Sequence, residues 1–168
     1  MRKLSTLATL MFALLLVGIA PASAAGNDYP YSTAAPGVSD PWGMTERQCT
    51  SFVAWRSHQN GQDIPGKTGG RGAWTADRWD DNAAQLRKKV DRRATVGGFA
   101  QWNAHEHVGY TYQGRQYSMT AGDMGHIAYV ASVNADGTVT LQDYNWFGGS
   151  RAYGTRTLPA TAVPRYIH

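Results

Sequence analysis

The order of residue patterns predicts an α+β fold, with helices in the first half of the chain and antiparallel strands in the second. Three observations carry that reading. Around Cys49 the apolar residues recur at helical spacing, so that Cys49, Phe52, Val53 and Trp55 share one broad face, with Arg56 falling inside it. Beyond Val90 the period drops to two, most clearly in Gly125–Val133 and Thr138–Trp146. Between those two runs lies Asn134-Ala135-Asp136-Gly137, whose Asp-Gly pair favours a tight hairpin. A chain of 168 residues suits one domain with a sizeable core.

Residues 1–25 stand apart. Arg2 and Lys3 form a charged start, Leu7 to Ile19 are almost wholly apolar, and Ala22-Ser23-Ala24 offers a small-x-small cleavage site. This is the pattern of an export signal cut after Ala24 or Ala25, too short and too poorly flanked for a membrane anchor. The mature protein is therefore expected to be exported, secreted or held at the cell wall, with no membrane contact after cleavage. Loss of Arg2 and Lys3 takes the net charge from +4 to +2. That mild excess suits an anionic wall polymer. Lys and Arg are scattered except in Arg87-Lys88-Lys89 and Arg92-Arg93, which is no nucleic-acid footprint; the first cluster is read as solvating a helix end.

Residues 26–44 are rich in Gly, Pro, Ser and Asn and form a lead-in rather than a domain, with the remaining domain at 45–168. Asp40-Pro41-Trp42-Gly43 is a turn signal. The first helix is expected from Glu46, with Thr45 and Gln48 at capping-box spacing, and should stop near Asn60-Gly61. Gln62 to Arg71 is a loop. A second helix is expected from Ala73 to about Lys89, with Ala76, Trp79, Ala83 and Leu86 at helical spacing. Strands are expected at Val96–Trp102, His107–Tyr112, Arg115–Met119 after a turn at Gly114, Gly125–Val133, Thr138–Trp146 and Ser150–Thr157, with Pro164–His168 as an edge strand.

The chemistry centres on the single cysteine. One cysteine cannot make a disulfide within the chain, so Cys49 is a buried small side chain, half of an intermolecular bridge, or a reactive thiol. Its place near a helix N-terminus, where the dipole favours thiolate, supports the last. A thiol nucleophile needs a base, and the base needs an orienting group. Alternation puts His126 with Ala128 and Val130 on one strand face, and Asp143 with Asn145 on one face of the next strand. Hairpin pairing brings the start of the first beside the end of the second. A Cys49 helix packed on that face would complete a Cys–His–polar triad.

These blocks, Arg47-Gln48-Cys49-Thr50-Ser51-Phe52-Val53-Ala54-Trp55-Arg56, Gly125-His126-Ile127-Ala128-Tyr129-Val130 and Asp143-Tyr144-Asn145-Trp146, resemble the signature blocks of the CHAP domain, in order and approximate spacing from about Asp40 to Trp146. CHAP domains are cysteine, histidine-dependent amidohydrolases/peptidases of papain-like arrangement. The resemblance implies cleavage of amide bonds in peptidoglycan, as an endopeptidase or an N-acetylmuramoyl-L-alanine amidase, with no cofactor. It makes Cys49 the nucleophile and His126 the general base. The family's third block is commonly Glu-x-Asn and here is Asp143-Tyr144-Asn145, which leaves the orienting role open between Asp143 and Asn145. Gln48 is a weaker candidate for the oxyanion site, and Trp146 for substrate binding.

Other signals weigh less. His105-Glu106-His107 has a zinc-chelating spacing but no third ligand, and is read as a polar strand end; no metal is expected. Acids of the lead-in, among them Asp28 and Asp40, form no calcium loop. Two rival functions keep the fold: a non-hydrolytic wall-binding module that uses its aromatic residues, and a thiol-dependent acyltransferase or toxin.

Overall fold

The computed structural model describes residues 26–62, 74–83 and 87–168. The export segment, Gln62–Arg71 beyond Gln62, Ala73 and residues 84–86 lie outside the described residues. Among the described residues two helices, α1 (Cys49–Gln59) and the short α2 (Trp79–Ala83), precede all eight strands, and a 3-10 turn at Ala76–Arg78 leads into α2. The strands are β1 (Val90–Asp91), β2 (Phe99–Trp102), β3 (His107–Tyr112), β4 (Arg115–Thr120), β5 (His126–Val133), β6 (Thr138–Tyr144), β7 (Tyr153–Pro159) and β8 (Arg165–Ile167). Six form one antiparallel sheet in the order β1-β8-β2-β5-β6-β7, and β3 pairs with β4 as a separate ribbon. The expected α+β class holds.

The chain departs from its local signals where a longer-range contact competes. Helix α1 starts at Cys49, three residues later than the capping box implies, and that box does not form: Gln48 makes no side-chain cap. The cause lies upstream. Glu46 N–H bonds Val38 C=O, Thr45 bridges Ser39, and Arg47 turns left-handed at φ 61°, so residues 45–47 are pinned outside the helix. The C-terminal stop is as expected, with Gly61 at φ 67° donating to His58 C=O.

Among the described residues of the expected second helix, Ala76–Arg78 form a 3-10 turn and Trp79–Ala83 are α-helical. Lys89 and His168 exchange both backbone hydrogen bonds, at 3.2 and 2.9 Å, which draws Lys88 and Lys89 toward the sheet instead of a helix end. Lys88 is half-buried, donating to Gln62 Oε1 and lying over the Phe99 ring. The C-terminal strand is not at an edge either: β8 sits between β1 and β2. Strand β2 begins at Phe99 because Gly97 turns at φ 86°, and β7 begins at Tyr153 because Arg151 adopts φ 53°. Strand β6 ends at Tyr144, where Asn145 goes left-handed at φ 69°.

The sheet is buried on both faces. One carries Phe99, Ile127, Tyr129, Tyr144 and Ile167 against Phe52, Val53 and Trp55 of α1 and Trp79 of α2. The other carries Ala100, Trp102, Val130, Val139, Leu141, Leu158 and Tyr166, packed against Val108 and Tyr110 of the ribbon. Helix α1 is buried almost all round because the lead-in covers its outer side. Tyr29 of the lead-in packs edge-on against Phe52 and Trp55, and its hydroxyl meets Ser51 Oγ at 2.5 Å. Ser51 in turn donates to buried Asp40 at 2.5 Å, and Asp40 also accepts the N–H groups of Trp42 and Met44. Burial pushes the Asp40 carboxyl up, against those hydrogen bonds. Arg56, the charge inside the apolar face, is matched by a bidentate pair with Asp28 at 2.6 and 3.0 Å and by the Trp55 ring 4.5 Å away.

Gly125, the residue before β5, shows how closely this framework is fitted. It sits at φ 70°, and a Cβ there would lie 2.5 Å from Trp102 C=O and 2.8 Å from Asp77. Gly125→Ala is therefore expected to cost about 2 kcal/mol or more, from the positive φ and the backbone collision together. Thermal or urea denaturation against the wild type checks this; an unchanged midpoint contradicts it.

Candidate active site

The start of β5 and the end of β6 place a histidine beside a carboxylate. The β5/β6 register pairs Tyr129 with Gln142 and Val130 with Leu141; one step further sets Asp143 opposite Ala128, diagonal to His126. His126 Nε2 stands 2.7 Å from Asp143 Oδ2, both side chains being buried. Hydrogen bonding and charge both join the ring to that carboxylate. Asp143 Oδ2 also faces the Phe147 N–H at 3.4 Å. Trp102 and Trp146 wall the imidazole at centroid separations of 6.2 and 4.3 Å and pack edge-to-face on each other.

Cys49 reaches this pair by a route the sequence reading did not anticipate. Helix α1 packs on the face of Ile127, Tyr129 and Tyr144, whereas His126 and Asp143 belong to the opposite face, with Trp102. The helix does not lie over His126 at all. Its N-terminal end meets the end of the strands, and there Cys49, the first residue of α1, comes up against His126 at the same groove.

The electrostatics follow from that geometry. Burial alone pushes the His126 pKa down, because a charged ring loses its water. The charge of the neighbouring Cys49 sulfur, the contact with Asp143 and the hydrogen bond to Cys49 oppose this and prevail. Together they raise the histidine from its ordinary 6.5 to about 9. The arrangement thus favours a charged imidazolium in the buried site.

Asn145 turns away from His126. Its left-handed backbone takes it off the strand, and its Nδ2 donates to Gln48 Oε1 at 2.7 Å instead. Of the two orienting candidates, only Asp143 is in place, and its shorter side chain spans the gap. Trp146 lies against His126, as the sequence suggested for a groove residue. The pair His105 and His107 is split: His105 sits in a turn at φ 59° near Asp123, while His107 bonds Thr120.

A groove of about 700 Å³ opens over Cys49 and His126. Its lining includes Trp42 and Met44 of the lead-in, Trp74 to Ala76, Gly122 to Gly125 and Trp146. Sequence reasoning had Trp42 only as a turn residue and missed Met44, Asp123 and Met124. Their signal was weak, because a groove wall needs only to be near the nucleophile, with no spacing rule.

Comparison with known proteins places the chain in a family. Residues 39–145 match the CHAP domain family. The chain is 32% identical over 127 residues to the N-acetylmuramoyl-L-alanine amidase sle1 of Staphylococcus saprophyticus, covering 76% of this chain and 31% of that protein. It is 33% identical over 129 residues to sle1 of Staphylococcus aureus, with 76% and 31% covered. A solved structure of an N-acetylmuramoyl-L-alanine amidase from Staphylococcus aureus aligns with a TM-score of 0.53 at 25% identity, over 71% of this chain and 29% of that one. The chain therefore spans about a third of the length of the curated relatives it matches. With a match over most of its described length and the three signature blocks gathered at one groove, the chain belongs to the CHAP domain family.

Proposed function

We propose that this chain is an exported cysteine amidohydrolase that cuts peptidoglycan at the amide between N-acetylmuramic acid and the first residue of the stem peptide. One observation carries the reading. The chain's single cysteine opens a helix, touches a buried histidine backed by a buried carboxylate, and lies under an open groove. The relatives and the solved neighbour are named N-acetylmuramoyl-L-alanine amidases, which supports the choice of bond. Export is supported by residues 1–25 alone; among the described residues no helix is long and apolar enough to cross a membrane.

In this reading Cys49 Sγ attacks the amide carbonyl as a thiolate, and the carbonyl oxygen becomes an oxyanion. The first N–H groups of α1 carry no side-chain cap and no acidic neighbour, and Gln48 borders the same groove, so donors are on hand for that charge. His126 gives its proton to the departing amine, leaving a thioester on Cys49. Water then loses a proton to His126 and hydrolyses the thioester, restoring the pair. Asp143 keeps the ring correctly turned and favours its protonated form at the start and end of each cycle. Trp102 and Trp146 keep bulk water off it.

Incubation of purified peptidoglycan with wild type and Cys49→Ala, followed by mass spectrometry of the soluble products, tests the assignment. Wild type is expected to release stem peptides with free N-terminal alanine, and the variant none. Full release by Cys49→Ala rejects the thiol chemistry, and peptides cut internally would make the enzyme an endopeptidase.

The histidine gives a pH prediction. Its pKa is raised in the folded protein, so the imidazolium, and the stability it lends, is fully present below pH 6.5 and lost as pH rises through about 9. The wild-type kcat/KM should hold through neutral pH and fall along a limb near pH 9. Asp143→Asn removes a charge that favours the protonated ring, so this limb should move to lower pH by about 1 unit or more. A limb that stays in place would separate Asp143 from the titration.

A further inference from the structure

Asn145 lies at the edge of the groove, and its side-chain hydrogen bonds run away from His126 in a fixed direction. The backbone N–H of Arg151, which can only donate, meets Asn145 Oδ1 at 2.8 Å. A reversed Asn145 amide would set its N–H2 group against that donor, so the orientation is determined. Nδ2 then donates to Gln48 Oε1 at 2.7 Å. An N–H2 group accepts nothing, so Gln48 must offer its oxygen there and turn its own Nε2 the other way. Gln48 is the extended residue just before α1 and borders the groove beside Cys49.

The relay is braced at both ends. Asn145 N–H bonds Ala152 C=O at 3.0 Å, and Arg47, the residue before Gln48, donates Nε to Arg151 C=O at 3.0 Å. Arg47, Gln48, Asn145 and Arg151 thus close a ring. Three of its members, Arg47, Asn145 and Arg151, hold positive φ values of 61°, 69° and 53°. Backbone strain of this kind persists only where its surroundings enforce it.

We propose that Asn145 is a positioning residue that acts through Gln48: it holds the glutamine amide with Nε2 toward the substrate carbonyl, so that Gln48 donates to the oxyanion while Cys49 attacks. A glutamine amide free to rotate would place Oε1 at that position part of the time and repel the developing charge. The Asn145 bond removes that state before substrate arrives, which is where pre-organised donors gain their effect. The inference rests on the thiol-hydrolase reading of Cys49.

Asn145→Asp tests it. Aspartate tolerates the left-handed backbone and still accepts from Arg151, but it sets an acceptor against Gln48, whose amide must then reverse. On soluble peptidoglycan, kcat is expected to fall about 10²-fold with KM little changed and the thermal midpoint near wild type. Gln48→Ala should fall by a similar factor, and adding Asn145→Asp to it should cost less than about two-fold more. Asn145→Gly, which suits a positive φ and adds no charge, should show a smaller loss that also disappears in the Gln48→Ala background. Losses that multiply in the double variants, or wild-type kcat in Asn145→Asp, overturn the proposal. Cys49→Ala run alongside separates the two levels. If it stays active, the hydrolase reading itself fails; if it is inactive while Asn145→Asp is fully active, only the role given to Asn145 fails.

Discussion

A charged imidazole held out of water is the constraint on which the rest of this site depends. An isolated ion in a protein interior is expensive, and a buried pair seldom repays its desolvation in stability. His126 stays charged because a sulfur lies on one side and Asp143 on the other, with two tryptophans shutting out solvent. These partners come from three pieces of chain: Cys49 from α1, Trp102 from β2, and Asp143 with Trp146 from the end of β6 and just beyond it. The diagonal across β5 and β6 is fixed by the hairpin, so a slip of one residue would send His126 or Asp143 to the wrong side of the sheet.

Cys49 arrives from the other face. Because α1 packs on the side of Ile127, Tyr129 and Tyr144, the sulfur meets the imidazole only past the strand ends. The depth at which α1 seats on the sheet then sets the distance between the reacting groups. That depth is governed from both sides: by Phe52 against the sheet aromatics below, and by the Tyr29–Ser51–Asp40 chain above. Neither half alone would hold a helix whose own surface is so little amphipathic. A site built this way is stiff where chemistry needs it, since both layers are close-packed.

Much of this was legible in the residues. The alternation of β5 and β6, the Asp-Gly turn between them and the apolar spacing after Cys49 are local signals, and local forces decide them. The three blocks that carry the family resemblance are the three segments that meet at the groove. What failed was decided at long range. Thr45 and Gln48 have the right types and spacing for a capping box, yet a bridge from Ser39 holds Thr45 extended and Asn145 claims the Gln48 side chain. The basic run after residue 86 resembles a helix end until His168 pairs with Lys89. Asn145 follows Asp143 by the two residues that put side chains on one strand face, but β6 ends between them and the positive φ cancels the alternation. No pattern inside a window reports where a strand stops because its partner has run out.

The lead-in contributes Trp42 and Met44 to the groove lining, whereas the reacting groups come from α1, β5 and β6. Recognition and reactivity are thus written in separate stretches of chain, joined mainly by the buried Asp40 hub. Such a division leaves the residues before the helix free to diverge, provided an acid stays at the hub and an aromatic anchor like Tyr29 remains behind it. Related chains could acquire a differently shaped groove by exchanging this short segment alone, with the Cys49, His126 and Asp143 cluster inherited intact.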